Sequence, residues 1–129
     1  MIKEFAEIFK ALSDETRVRI LYLLNLSEES ICVCEIVDSL EEPQYNISRH
    51  VKILRNAGLI EEDKEGRWRY YSLTKKRDLF IAHLFQTISS IPKKILIKDS
   101  VRLKERLKIR KEGKCVLGIQ NPDLLSRKR

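Results

Sequence analysis

The sequence predicts a mainly α (α+β) fold of the winged helix-turn-helix class, with five to six helices and a two-stranded β-hairpin as the wing. Three observations predict it. Two short helix-compatible segments, 31–40 and 43–57, are joined only by Glu41-Glu42. The second carries Ile47, Val51 and Leu54 at i, i+4, i+7 spacing and ends at Gly58, which suits a left-handed stop. Directly after it, residues 59–63 and 68–73 flank the turn-forming run Lys64-Glu65-Gly66-Arg67, a hairpin signal.

The elements follow in order. Phe5, Ile8, Phe9 and Leu12 fall at helical spacing and predict a short amphipathic helix over 3–12. Ser13 is the expected cap of the next helix, with Asp14 and Glu15 in its first turn, where carboxylates favour the helix dipole. That helix runs to about Leu24 and offers Val18, Ile20, Leu21 and Leu24 to a core. Ser30 is the expected cap of a helix over 31–40, and Pro43 suits the first turn of the helix that follows. A helix over 76–90 is apolar on more than one face, through Leu79, Phe80, Ala82, Leu84, Phe85 and Ile88, so it is expected to pack against two things at once. Pro92 interrupts. A last basic helix is expected over 93–112, anchored by Ile97, Val101, Leu103 and Leu107 and stopped by Gly113, with 114–129 irregular. The organisation expected is a domain over 1–92 for DNA binding and dimerisation, then a basic C-terminal extension over 93–129.

The 129 residues carry a net charge of +7, unevenly spread. Residues 1–42 sum to −6, 43–77 to +5, 78–92 to −1 and 93–129 to +9. A basic central segment points to a polyanionic partner. The N-terminus has no basic region leading into an apolar run, and no stretch approaches the ~20 apolar residues of a membrane span, so a cytoplasmic protein without membrane contact is expected. No glycine-rich phosphate loop and no evident pair of catalytic carboxylates argue for an enzyme.

With Ile47, Val51 and Leu54 turned inward, the outward positions of the 43–57 helix are Gln44, Tyr45, Ser48, Arg49, Lys52 and Arg55, with Asn46, His50 and Asn56 towards the flanks. Gln and Asn present paired donors and acceptors to adenine, and Arg reaches guanine with two bonds. Ser, Lys and free N–H groups at the helix start hold phosphates. In the hairpin, Lys64, Arg67 and Arg69 are placed to track the backbone or the minor groove, and the carboxylates of 61–65 are expected to point away from phosphate.

The run from Asn46 to Ile60 resembles the recognition helix of the ArsR/SmtB family. Glu65-Gly66-Arg67-Trp68-Arg69-Tyr70-Tyr71 resembles that family's wing, and the run from Phe9 to Leu21 its N-terminal signature. The resemblance covers about residues 5–90. It implies a homodimer, built from the first and the late helix, that represses transcription from double-stranded operator DNA and is released by a metal or metalloid. In zinc-sensing relatives the late helix carries an acidic residue and several histidines. Here it holds only Asp78 and His83, so that type of site is absent from the pattern and His83 reads as an interface residue.

Ile31-Cys32-Val33-Cys34-Glu35 resembles the Cys-Val-Cys element of arsenic-sensing members. Thiolates bind soft and borderline ions, and a helix start lowers a thiol pKa. Residues i and i+2 of a regular helix point about 200° apart, so Cys32 and Cys34 can share an ion only if the helix start distorts. That distortion would couple ion binding to the adjoining reader helix. As(III) takes three thiolates, and Cys115, from the same chain or from the dimer mate, is the remaining candidate. The site expected is Cys32, Cys34 and Cys115, with As(III) or Sb(III) as inducer and no resident cofactor required. Two other readings use the same chain: a redox or persulfide sensor acting through these cysteines, and a ligand-independent architectural DNA-binding protein.

Overall fold

The computed structural model describes residues 1–125; the last four positions of the expected extension, 126–129, lie outside them. Six α-helices and three strands follow the chain as α1 (Ile2–Ala11), α2 (Glu15–Leu26), β1 (Ile31–Cys32), α3 (Val33–Leu40), α4 (Gln44–Asn56), β2 (Ile60–Glu65), β3 (Trp68–Leu73), α5 (Leu79–Ser89) and α6 (Ile97–Leu107). Short 3-10 turns occupy Lys93–Leu96 and Pro122–Leu124.

The helix-turn-helix is α3 and α4, and the wing is β2 and β3, as the residue pattern predicts. Ile47, Val51 and Leu54 are all buried, in one core cluster with Ile20, Leu21 and Leu23 of α2 and Ile36 and Val37 of α3. Each such side chain contributes about 1.5–3 kcal/mol by leaving water. Asp14, rather than Ser13, caps α2: its carboxylate accepts the Arg17 N–H, while the Ser13 hydroxyl bonds back to Lys10 O. Gly58 takes φ 78° after α4, the left-handed conformation its position called for.

The two strands of the wing are joined by a third. β1 pairs antiparallel with β3 in the order β1-β3-β2, with Ile31 opposite Tyr71 and Cys32 opposite Tyr70. The helix expected from residue 31 therefore starts at Val33. Cys32 is its N-cap in extended backbone (φ −72°, ψ 150°), and the Glu35 carboxylate accepts the Cys32 N–H at 2.9 Å. Ladder bonds to the wing strand win over one more helical turn.

Asp78 caps α5 by accepting the Ile81 N–H, so this helix is three residues shorter at its start than the pattern implied. Ile81, Phe85 and Ile88 enter the core. On the other face Phe80 meets Phe5 and Phe9 of α1 edge-on, at 4.9 and 5.7 Å between ring centroids. Phe5, Phe9, Ile2 and Leu79 stay exposed there, and so does His83.

The basic helix is broken into the 3-10 turn after Pro92 and then α6, which ends at Leu107. α6 lies along α3. Arg102, Arg106 and Arg110, at i, i+4 and i+8, reach Ser39 O, Asp38 and Glu35 respectively, at 2.6, 2.7 and 2.7 Å. Beyond it, Glu112 and Gly113 both have positive φ, 52° and 74°, and Lys111 and Lys114 exchange backbone bonds. Two consecutive left-handed residues are the signature of a type I′ reversal. Gly113 thus turns the chain back rather than merely stopping a helix, and the reversal returns Cys115 to the start of α3.

Candidate DNA interface and thiol cluster

With its apolar stripe buried, α4 turns Tyr45, Ser48, Arg49, Lys52 and Arg55 to solvent, with Gln44 and Asn46 half-buried beside them. Lys64, Arg67 and Arg69 are exposed on the wing, and the Arg67 guanidinium lies over the Trp68 ring at 4.6 Å. Helix and wing thus form one basic face.

Two residues depart from expectation here. His50 was expected among the flanking reader positions, but it is 6% exposed. It stands three residues after Ile47, on the inward side of the helix. Its Nδ1 accepts from Arg17 Nη1 at 3.1 Å, and its Nε2 lies 3.8 Å from the Asp14 carboxylate. Burial pushes its pKa below the ordinary value, so a neutral ring ties α4 to the start of α2. Glu62 was expected to point away from the basic face. Instead its carboxylate sits between Arg55 and Arg69, 3.1 Å from each, and accepts the Tyr71 hydroxyl at 2.6 Å. The Tyr71 bond, followed by the two guanidinium charges, holds Glu62 below the usual carboxylate range. Glu61 turns to Thr74 and Lys75, and Glu65 to Lys114.

The three cysteines form one cluster. Their sulfurs all lie within 4.8 Å of one another, with Cys32–Cys34 and Cys34–Cys115 each at 3.3 Å, and all three residues are buried. They are free thiols. The strain expected from two cysteines at i, i+2 does not arise. Cys32 sits in the extended β1 and Cys34 in the first turn of α3, so the change of backbone conformation between them brings both side chains to one side.

The surroundings are polar where they matter. Cys34 donates to Cys32, and this bond draws the Cys32 thiol down to about 6. The same bond pushes Cys34 up, and burial raises Cys115. The Arg106 guanidinium stands 3.6 Å from Cys34 Sγ. The buried Tyr70 closes the far side, its hydroxyl accepting the Cys115 N–H at 3.0 Å. Buried Glu35 braces the helix start through Cys32 N–H and Arg110. A cavity of about 350 Å³ joins Cys32 and Cys34 to Gln44 and Ser48 of α4 and to Arg67 and Arg69 of the wing. Three soft donors that share protons, two of them lining a cavity beside the basic face, suit capture of a thiophilic ion.

Glu35, Tyr70, Arg106 and Arg110 were not singled out from the sequence. For the arginines a signal was present in the i, i+4, i+8 repeat of positions 102, 106 and 110. For Tyr70 there was none, because its role depends on pairing with a strand of two residues.

A helix-turn-helix with a basic outward face, flanked by a basic wing, defines a winged-helix DNA-binding regulator. Residues 14–62 match the family described as bacterial regulatory protein, arsR family. The chain is 49% identical over 72 residues to an uncharacterized HTH-type transcriptional regulator of Methanocaldococcus jannaschii, covering 56% of this chain and 80% of that one. It is 35% identical over 98 residues to an arsenic resistance transcriptional regulator of Pseudomonas putida, covering 76% and 84%. Among solved structures, Rv0081 of M. tuberculosis superposes with a TM-score of 0.57 at 29% identity, covering 78% of this chain and 95% of that one. The chain belongs to the arsR family and is a DNA-binding transcriptional repressor of that family, not an enzyme. Among the described residues no helix is long and apolar enough to cross a membrane.

Proposed function

We propose that this protein is a cytoplasmic homodimeric repressor that leaves its operator when As(III) or Sb(III) binds to the thiolates of Cys32, Cys34 and Cys115. The observation that carries the proposal is the meeting of three buried sulfurs within 4.8 Å, two of them from β1 and α3, which adjoin the wing and the reader helix. The name of the P. putida relative, an arsenic resistance regulator, supports the choice of ion.

Gln44, Tyr45, Asn46, Ser48, Arg49, Lys52 and Arg55 face the major groove in this reading, and Lys64, Arg67 and Arg69 follow the flanking backbone. The exposed apolar face of α1 and α5, around Phe5, Phe9 and Leu79, is the dimer interface. A two-fold dimer would present two reader helices to a palindromic site.

Arsenite enters as As(OH)₃. Three S–As bonds form, three As–O bonds break, and each thiol proton leaves with a hydroxide as water; no electron moves. The sulfurs already stand close together, so the ion fixes β1, the first turn of α3 and the tail as one rigid unit. β1 is bonded to β3 of the wing, and α3 packs on α4, so the wing and the reader helix are held where the ion sets them and cannot adjust to a duplex. Ion and DNA each weaken the other's binding by the same factor.

The test is operator binding by fully reduced protein with and without arsenite, followed by fluorescence anisotropy. Arsenite is expected to weaken binding by about tenfold or more, within the usual span of such couplings. Unchanged affinity removes the metalloid reading.

A further inference from the structure

Resting on the three-thiolate reading above, we infer that Arg106 is the positioning residue that makes Cys115 a ligand. Cys115 lies beyond α6 in a segment whose regular structure is limited to the turn at 111–114 and the 3-10 turn at Pro122–Leu124. Such a segment meets Cys32 and Cys34 only if something seats it.

At and before Cys115 the chain is held by Tyr70, by Glu65 through Lys114 and by Arg110 through Gly113 O; Arg106 supplies the seat after it. Arg106 is buried, its side chain 5% exposed. Its Nη2 donates to the carbonyls of Leu117 and Gly118, two and three residues past Cys115, at 2.6 and 2.9 Å. The same nitrogen lies 3.6 Å from Cys34 Sγ. Its Nε donates to Asp38 of α3 at 2.7 Å, and Asp38 also accepts the Gln120 N–H at 3.0 Å. One guanidinium therefore fixes the tail against α3 at the level of the second ligand. Arg110 does not do this: its bonds go to Glu35, Glu29, Ser30 O and Gly113 O, all on the other side of Cys115 or before it in the chain.

A purely stabilising role fits poorly. Arg106 Nη1 is buried without a hydrogen bond among the described residues, and its ion pair with the Glu35 carboxylate is long, at 4.0 Å. A buried donor that makes no hydrogen bond opposes folding, and an apolar side chain of similar length would fill the space without that penalty.

The experiment uses the full chain with Arg106→Gln, which removes the charge, and Arg106→Lys, which keeps it. Sulfur neighbours of bound arsenic are counted by X-ray absorption, and arsenite affinity is measured with and without Cys115→Ser. Arg106→Gln is expected to lower the sulfur count from three to two and weaken arsenite binding by about tenfold, with ligand-free operator affinity held within about twofold. Combined with Cys115→Ser it is expected to add no further loss, and Arg106→Lys is expected to restore part of the affinity. A count that stays at three, or an equal loss in the Cys115→Ser background, overturns the inference. A separate measurement needs no arsenic: alkylation of Cys115 in the ligand-free protein, followed by mass spectrometry. Arg106→Gln is expected to speed it by about tenfold, as local opening becomes easier. Should wild-type protein take up no arsenite, the three-thiolate reading fails; an unchanged alkylation rate overturns the role of Arg106 in either case.

Discussion

Cys32 and Tyr70 stand opposite each other in the β1–β3 ladder, and the Tyr70 hydroxyl accepts the backbone N–H of Cys115. One wing residue thus touches the segments that carry two of the three sulfurs. The route from thiol cluster to DNA-binding face passes through the wing as well as through α3.

Tyr70→Phe tests that route. It removes the acceptor from a buried N–H, at a cost of about 1–3 kcal/mol. The thermal midpoint is expected to fall and the arsenite-induced loss of operator affinity to shrink, read from denaturation and from anisotropy. Full coupling in the variant would place the route elsewhere.

Glu62 holds a negative charge between two of the basic side chains proposed to meet DNA. Glu62→Gln keeps an acceptor for Tyr71 and removes the charge. It is expected to tighten operator binding by about threefold. Arg49→Ala is expected to do the reverse and to lower the slope of log affinity against log salt by about 1. Both are read in one salt titration.

His50 makes stability depend on pH in a defined direction. Burial lowers its pKa in the folded protein below the ordinary 6.5. Near and below that value the unfolded chain binds the proton more readily than the folded one. The contribution is therefore complete above pH 6.5 and is lost as pH falls through the lower folded value. Denaturant midpoints measured from pH 7.5 downward should drop more steeply for the wild type than for His50→Gln. Parallel curves would mean that the ring titrates as it does in water.

Phe9 is exposed on the apolar face of α1 and takes part in a ring contact with Phe80, not in the core cluster. Phe9→Glu is expected to give folded monomers by sedimentation, with the operator affinity of a single half-site. A dimer that persists would move the interface off α1 and α5.

Much of this architecture was legible in the residue pattern, because periodicity reports burial. The stripe of Ile47, Val51 and Leu54 located α4 and oriented its outward face, and the glycine turn located the wing. The Cys-Val-Cys run at 32–34 marked two of the three sulfurs by its resemblance to arsenic-sensing members, although its spacing on a helix argued against a shared ion. What could not be read was decided by partners distant in sequence. Ile31 and Cys32 fit a helix as well as a strand until Tyr70 and Tyr71 bond to them. His50 looked like a reader until Arg17 and Asp14 enclosed it. The return of Cys115 hangs on positive φ at Glu112 as well as at Gly113, and glutamate carries no such signal in sequence.

The cavity that reaches Cys32 and Cys34 has its mouth beside Gln44, Ser48, Arg67 and Arg69. A duplex lying across those side chains would stand in the doorway to the sulfurs. Solute would then reach the sulfurs more slowly on an occupied operator than in the free protein, and derepression would lag behind the intrinsic speed of the thiols.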